Sequence, residues 1–329
     1  MAVHAEHRAA VLEGPKRVSV ARIAVTEPGP REVRVRLEGC GVCASNLPLW
    51  QGRPWFSYPL PAGSPGHEGW GVIDAVGDAV TGFAPGQRVS FMSQHAYAEY
   101  DMAHQNAMVA LPDDLRSEPF PGEPLACAMN IFERSDIRAG HAVAIVGAGF
   151  LGSLLTQLAT SVGAAVTVLS RRAFALSLAR DAGAAEVLET SDLARARERA
   201  LAATAGVGYQ RVIEAVGEQS SLTLASDLVA EHGRLVIAGY HQDGLREVNM
   251  QQWNWRGIDV VNAHERDVDR YTDGMRRAID AVLSGRLDPF PFITHSLPLE
   301  SLDRAFDLAL DRPPGFMKAV LQLVAPGPS

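Results

Sequence analysis

Apolar and polar residues alternate with two different periods along this chain, and the change falls near residue 128. Before it, short runs alternate at every second residue and are broken by Gly and Pro, the pattern of an all-β domain with tight turns. In Glu32 to Val42, Val33, Val35 and Leu37 point one way and Arg34, Arg36 and Glu38 the other, so one face is expected buried and the other wet. Gly69 to Val76, Gln87 to Phe91 and Tyr97 to Met102 repeat the theme, with Gly77-Asp78 and Pro85-Gly86 as turn dipeptides between them. These runs predict a small β-barrel.

From Ala142 the texture changes to apolar strands alternating with helix-length segments: Ala142 to Val146, Ala165 to Leu169, Arg211 to Ala215, Arg234 to Ala238 and Ile258 to Asn262. That order predicts a parallel α/β sheet. Leu151, Leu154, Leu155 and Leu158 recur at helical spacing, and Leu176, Leu178 and Ala182 do so less strictly, which core packing explains. Helices are expected at Val268 to Leu283 and Leu302 to Leu310, then a closing strand from Ala319 to Val324.

Length and composition narrow the class. At 329 residues the chain is about twice the usual domain size, so two domains are expected. With 47% hydrophobic and 21% charged residues it can bury a full core, which excludes a disordered chain. Thirty Lys and Arg stand against 38 Asp and Glu, a net charge of -8, so there is no global basic field to hold nucleic acid or anionic lipid, and nucleic acid is not expected as a partner. Cys40, Cys43 and Cys127 cannot all pair, Met1 to Gly14 has no apolar signal region, and no run is long and apolar enough to span a bilayer. A reducing, cytoplasmic setting follows as the expectation.

Val143 to Val146 runs into Gly147-Ala148-Gly149-Phe150-Leu151-Gly152 and then a helix, so G-x-G-x-x-G stands in the strand-turn-helix context that dinucleotide binding requires. Gly147 permits the tight turn, Gly149 lets backbone N–H groups approach a pyrophosphate, and Gly152 lets the helix pack closely. At the end of the second strand the chain reads Leu169-Ser170-Arg171-Arg172, with no carboxylate for the ribose hydroxyls. A hydroxyl and two guanidiniums suit a 2′-phosphate, so NADP(H) is expected over NAD(H). The plainer alternative is that Arg171 and Arg172 cap the next helix from solvent.

In the β domain, Cys43 follows a strand in Gly41-Val42-Cys43-Ala44-Ser45-Asn46, and His67 and Glu68 open another in Gly66-His67-Glu68-Gly69. Thiolate, imidazole and carboxylate together are zinc donors. Singly, each has a dull alternative: a buried small hydrophobe, a hydrogen-bonded turn residue, a surface charge. With Glu123-Pro124-Leu125 ahead of the nucleotide motif, these segments resemble, in order and approximate spacing, the zinc-dependent medium-chain dehydrogenase/reductase superfamily of alcohol and sorbitol dehydrogenases.

The resemblance implies an α/β fold: a GroES-like catalytic domain over residues 1–128, completed by 265–329, and a doubly wound Rossmann domain over 129–264. It implies an active site in a cleft and one catalytic zinc. A structural zinc held by four cysteines is not expected, because 91–111 contain no cysteine and Cys40 and Cys43 have only Cys127 beside them. A thioredoxin-like role for Cys40 and Cys43 is the rival reading of that C-x-x-C pair. Cys43, His67 and Glu68 are the expected ligands, with Glu123 directly or through water. Cys127 is the alternative, since positions 123 and 127 share a face if the stretch is helical.

Ser45 matches the residue that passes the substrate's proton outward. Asn46 stands where an acid is usual, its amide oxygen still able to accept from His67, and Pro48 where many relatives have a relay histidine. Trp50, Trp55, Phe56 and Tyr58 suit either a substrate wall or a satellite core. Asn130 is expected near the nicotinamide and Lys318 at a phosphate, with the strand ends Ala215-Val216-Gly217 and Ala238-Gly239-Tyr240 over the cofactor. The expected activity is hydride transfer between NADP(H) and a polar secondary alcohol, polyol or corresponding ketone, in a homodimer or homotetramer paired through 258–262. The alternatives are a zinc-free NADPH-dependent C=C or C=N reductase on the same scaffold and a non-catalytic NADPH-binding sensor.

Overall fold

The computed structural model describes residues 6–116 and 118–323, so Val324 of the expected closing strand, and residues 1–5 and 324–329 of the expected domains, lie outside the described residues. Within these, the chain forms two compact units, 6–126 with 267–279 and 293–323, and 127–266 with 280–292. The first unit opens with a hairpin of β1 (Glu6–Gly14) and β2 (Arg17–Ala24) that the sequence reading passed over. Val18 and Val20 carry its period, but Lys16 takes a φ of 52° at the turn, where glycine or asparagine is the usual signal. Then come β3 (Glu32–Gly41), the short α1 (Leu47–Gln51), β4 (Gly69–Val76), β5 (Arg88–Phe91), β6 (Tyr100–His104) and β7 (Met108–Ala110).

Helix α2 (Gly122–Ser135) leads to β8 (Ala142–Val146), α3 (Phe150–Ser161), β9 (Ala165–Ser170), α4 (Ala173–Asp181), β10 (Glu186–Glu189) and α5 (Leu193–Ala202). There follow β11 (Tyr209–Glu214), α6 (Gln219–Leu228), β12 (Val229–Ile237), α7 (Met250–Arg256) and β13 (Asp259–Asn262). The chain ends through α8 (Val268–Leu283), β14 (Ile293–Pro298), α9 (Leu302–Asp311) and β15 (Lys318–Gln322). Strand β10 was not anticipated, being short and bounded by glutamates. Among the described residues no helix is long and apolar enough to cross a membrane.

The first unit holds the sheet β14-β15-β3-β4-β5-β7, with β6 also on β3. Among the described residues its two ends are not hydrogen-bonded to each other, so the expected barrel is a GroES-like sheet that pairing does not close. Strand β15 runs antiparallel to β3 with Val320 opposite Gly41 and Leu321 opposite Cys40, which sets the last strand among the described residues beside the one that delivers Cys43. The wet face expected on β3 is not wet at Arg34, which is 3% exposed. Its guanidinium meets Asp74 at 2.7 Å and Glu27 at 3.3 Å, because a buried cation must be paired. Trp50 of α1 is buried, stacked on Phe306 of α9 at 5.1 Å, with its indole N–H donating to Asp307 at 2.8 Å. Trp50 is therefore core, whereas Trp55 is 53% exposed.

The second unit is the six-stranded parallel sheet β10-β9-β8-β11-β12-β13. Its order reverses between β8 and β11, the switch point at which doubly wound sheets bind ligands beyond their strands' carboxyl ends. Both faces of the central strands are covered, so Val143, Ala144, Ile145 and Val146 are all buried and the strand reads as a continuous apolar run.

Candidate active site

Strand β3 ends at Gly41, and Cys43 caps a short turn, Ala44–Asn46, with extended backbone. The Gly66-His67-Glu68 turn lies alongside, its Glu68 carbonyl accepting from Gly41 N–H at 3.1 Å. A Cβ on Gly41 would stand 1.7 Å from Glu68 Oε2, so only glycine leaves room for that carboxylate. The result is a cluster of one ligand atom each from Cys43, His67 and Glu68, all within 4.8 Å of one another. Glu68 is fully buried, where a carboxylate requires positive charge around it. The donor set fits zinc.

Electrostatics favour a cation there. Burial alone would lower the His67 pKa, but the Cys43 hydrogen bond and charge, helped by Glu123 and Glu68, push it up to about 10. A proton thus occupies the imidazole when no metal does, and metal binding must displace it. His67 Nδ1 lies 2.9 Å from the Pro65 carbonyl, which fixes the tautomer and leaves Nε2 for the cluster. The expected acceptor was Asn46, and this is corrected: the Asn46 amide N–H donates to that same Pro65 carbonyl at 3.3 Å and to Tyr97 Oη at 3.0 Å. Asn46 therefore steadies the carbonyl that steadies His67.

Lys318 is a second correction. Expected at a cofactor phosphate, it is 5% exposed with its ammonium 2.7 Å from Glu68 Oε1 and 2.6 Å from Oε2. Burial would lower its pKa, but the Glu68 charge, with those of Cys43 and Glu123, raises it and keeps the cation. Cys40 is fully buried, and burial, with Glu68 nearby, pushes its thiol well up, away from thiolate chemistry.

Glu123 lies in the first turn of α2 and Cys127 one turn on. Between Phe120 and Ile131 these two are the only residues not buried, so one helix face opens at i and i+4. Among the described residues Glu123 stands outside the three-residue cluster, although its charge acts on His67 and Lys318. Ser45 is half-buried in the turn after Cys43, and Asn130 is buried in α2.

In the second unit, β8 delivers the glycine turn and Gly149 caps α3. Gly147 has a φ of 111°, and a Cβ on Gly152 would lie 1.9 Å from the Gly147 carbonyl, so both positions require glycine. At Gly149 a Cβ would meet nothing within 4 Å, which leaves the helix N-terminus open to an anion. Phe150 packs edge-on to Phe292 at 6.5 Å, and Leu151 is half-buried. Ser170 closes β9, with Arg171 exposed and Arg172 half-buried at the N-cap of α4. Ala215, Val216 and Gly239 follow β11 and β12, and a Cβ on Gly147 would come 2.7 Å from Val216. The sequence reading missed Glu214, buried beneath this turn and accepting from Val216 and Gly217 N–H, since a lone Glu ending an apolar strand carries no local signal.

Comparison with known proteins agrees with this fold. A family model described as zinc-binding dehydrogenase matches residues 151–281, and one described as alcohol dehydrogenase GroES-like domain matches 29–114. Sorbitol dehydrogenase from Homo sapiens is 27% identical, covering 90% of this chain and 91% of its own. Among solved structures, a protein from Sinorhizobium meliloti 1021 assigned as a zinc-binding dehydrogenase and bound to NADP has a TM-score of 0.83 at 26% identity, over 97% of this chain and all 100% of that one. An oxidoreductase/dehydrogenase of unknown specificity from Escherichia coli has a TM-score of 0.88 at 22% identity, over 97% and 100%, a likeness of fold.

Proposed function

This chain belongs to the zinc-type medium-chain dehydrogenase/reductase superfamily, and from that premise we propose that it is a zinc-dependent oxidoreductase moving hydride between NADP(H) and a polar secondary alcohol, polyol or the corresponding ketone. The observation that carries the reading is the thiol, imidazole and carboxylate of Cys43, His67 and Glu68, whose ligand atoms lie within 4.8 Å of one another with Glu68 buried. When bound, zinc supplies Lewis acidity toward a substrate oxygen and the nicotinamide supplies a hydride carrier.

The rest is done by the chain. Cys43 and His67 hold the ion, with Glu68, and Glu123 completes the set directly or through water. Pro65 and Asn46 keep His67 in the ligating tautomer. Lys318 offsets one of the negative charges, so the pocket does not hold three uncompensated anions. Ser45 passes the proton of the substrate hydroxyl outward. Gly147, Gly149, Phe150, Leu151 and Gly152 receive the pyrophosphate at the α3 N-terminus. Ser170, Arg171 and Arg172 take the 2′-phosphate, a reading supported by the absence of any carboxylate in 169–172. The carboxylate opposite Ser170 on β10, Glu189, is engaged by Ser191 at 2.8 Å. Ala215, Val216 and Gly239 line the nicotinamide side. Pairing of subunits through β13, an edge strand with Val260 38% exposed, gives the proposed homodimer or homotetramer.

The test is a coenzyme-dependent activity screen over polyols, sugars, amino alcohols and their ketones, before and after chelation and zinc restoration. Activity that falls on chelation, returns with zinc and has a lower KM for NADPH than NADH is expected. Full turnover in metal-free protein overturns the zinc reading, and an NADH preference overturns the 2′-phosphate reading. No turnover despite bound zinc and NADPH would make the protein a sensor instead. Arg171→Ala and Arg172→Ala should each weaken NADPH roughly tenfold or more, as loss of a charge-assisted bond does, and leave NADH nearly unchanged.

A further inference from the structure

The buried carboxylate of Glu214 has no part in the reaction outlined above, yet it gathers four donors. Oε1 accepts from the N–H groups of Val216 and Gly217, both at 2.8 Å, and from Ser221 Oγ at 2.7 Å, while Oε2 faces His241 Nε2 at 3.0 Å. Arg246 Nε donates to His241 Nδ1 at 2.9 Å, which makes Nδ1 the acceptor and puts the ring proton on Nε2, aimed at the carboxylate. The same guanidinium donates to the Gly217 carbonyl at 3.0 Å and pairs with Asp243. One residue on, the backbone of Glu247 exchanges two 2.8 Å bonds with the Gln219 amide. Residues 241–247 are thus tied to the 214–219 turn by polar bonds, while Leu245, 99% exposed, gives the segment no apolar anchor.

The place of this turn gives the bonds their meaning. Strand β11 adjoins β8 at the switch point, and a Cβ on Gly147 would come within 2.7 Å of Val216 Cγ2 and 3.0 Å of the Ala215 carbonyl. The 215–217 backbone is therefore the wall facing the pyrophosphate turn. Strand β9, with Ser170 and the two arginines, lies on the other side of β8, so the wall borders the half of a dinucleotide that extends away from the adenosine ribose.

We infer that Glu214, His241 and Arg246 form a latch that holds this wall in position for the nicotinamide half of the coenzyme. They act through the backbone of Val216 and Gly217 and are positioning residues. The guanidinium, imidazole and carboxylate form a chain in which each bond polarises the next, and loss of the middle member leaves a buried carboxylate oxygen without its donor and Arg246 Nε without its acceptor. The inference rests on the dinucleotide reading above but not on the choice of NADP over NAD.

The test measures Kd for NADPH, NADH and adenosine 2′,5′-bisphosphate, which lacks the nicotinamide half, on wild type, His241→Ala and His241→Gln. His241→Ala should weaken the preferred dinucleotide roughly tenfold, the worth of one hydrogen bond to a charged group, and shift the bisphosphate by less than about twofold. His241→Gln, whose amide N–H can reach Glu214, should recover most of the loss. A folded His241→Ala that binds the dinucleotide like wild type overturns the latch, as does equal weakening of dinucleotide and bisphosphate. If His241→Ala does not fold, Arg246→Met is judged by the same two ratios. A wild type that prefers NADH overturns only the 2′-phosphate reading, and the latch is then judged on NADH against ADP. A wild type that binds neither dinucleotide overturns both.

Discussion

Lys318→Met removes the cation facing Glu68 and tests whether the pocket's charge balance is as described. Nζ stands 2.7 Å from Oε1 and 2.6 Å from Oε2, with the lysine 5% and the glutamate 0% exposed. At an effective dielectric near 20, opposite charges this close attract by about 6 kcal/mol. Desolvating the two ions takes back several kcal/mol, so the pair itself adds little net stability. Removing one partner is different: it strands a buried carboxylate, and metal-free Lys318→Met should lose about 3–5 kcal/mol. The double variant Lys318→Met with Glu68→Gln removes both charges and should recover most of that loss. Guanidinium unfolding of chelator-treated protein, followed by fluorescence of the buried Trp50 and Trp70 in the same unit, gives the four free energies of the cycle. A coupling above about 2 kcal/mol is expected. Zinc supplies the charge that the variant lacks, so saturating zinc should stabilise Lys318→Met more than wild type. Additivity within about 0.5 kcal/mol, or equal stabilisation by zinc, would refute the reasoning.

Three further outcomes follow from the same geometry. Glu123→Ala should release zinc while Cys127→Ser retains it, as measured by metal analysis after dialysis; the reverse pattern would move the fourth ligand to the cysteine. Gly152→Ala forces a Cβ to within 1.9 Å of the Gly147 carbonyl, with no rotamer to relieve it, so about 1–3 kcal/mol of stability and most coenzyme affinity should go, and wild-type melting and titration curves would contradict this. Burial lowers the pKa of His7, whose Nδ1 has no hydrogen bond among the described residues, below the ordinary 6.5, so the neutral ring's contribution is complete above about that pH and is lost as protons bind the unfolded chain in preference. Chelated wild type should therefore lose unfolding free energy relative to His7→Gln between roughly pH 7 and 5, and parallel curves would count against it.

The sequence by itself determined the features whose physics is local. The β8-turn-α3 unit is legible because Gly147 and Gly152 answer constraints set within six residues of chain, and the long α8 because its apolar stripe keeps helical period. Cys43, His67 and Glu68 were readable for the same reason, each standing at a strand boundary in a short distinctive string. Tertiary structure alone decided what those residues lean on. Lys318 meets Glu68 across 250 positions because β15 pairs with β3, and no local pattern marks a lysine as buried. Asn46 and His67 share the Pro65 carbonyl where a direct bond was expected, because two turns from separate strands converge on it. Glu214 ends β11, while His241 and Arg246 lie in the loop that follows the adjacent parallel strand β12. Side-chain partners across such loops depend on where the sheet sets the strand ends, and a linear pattern does not carry that distance.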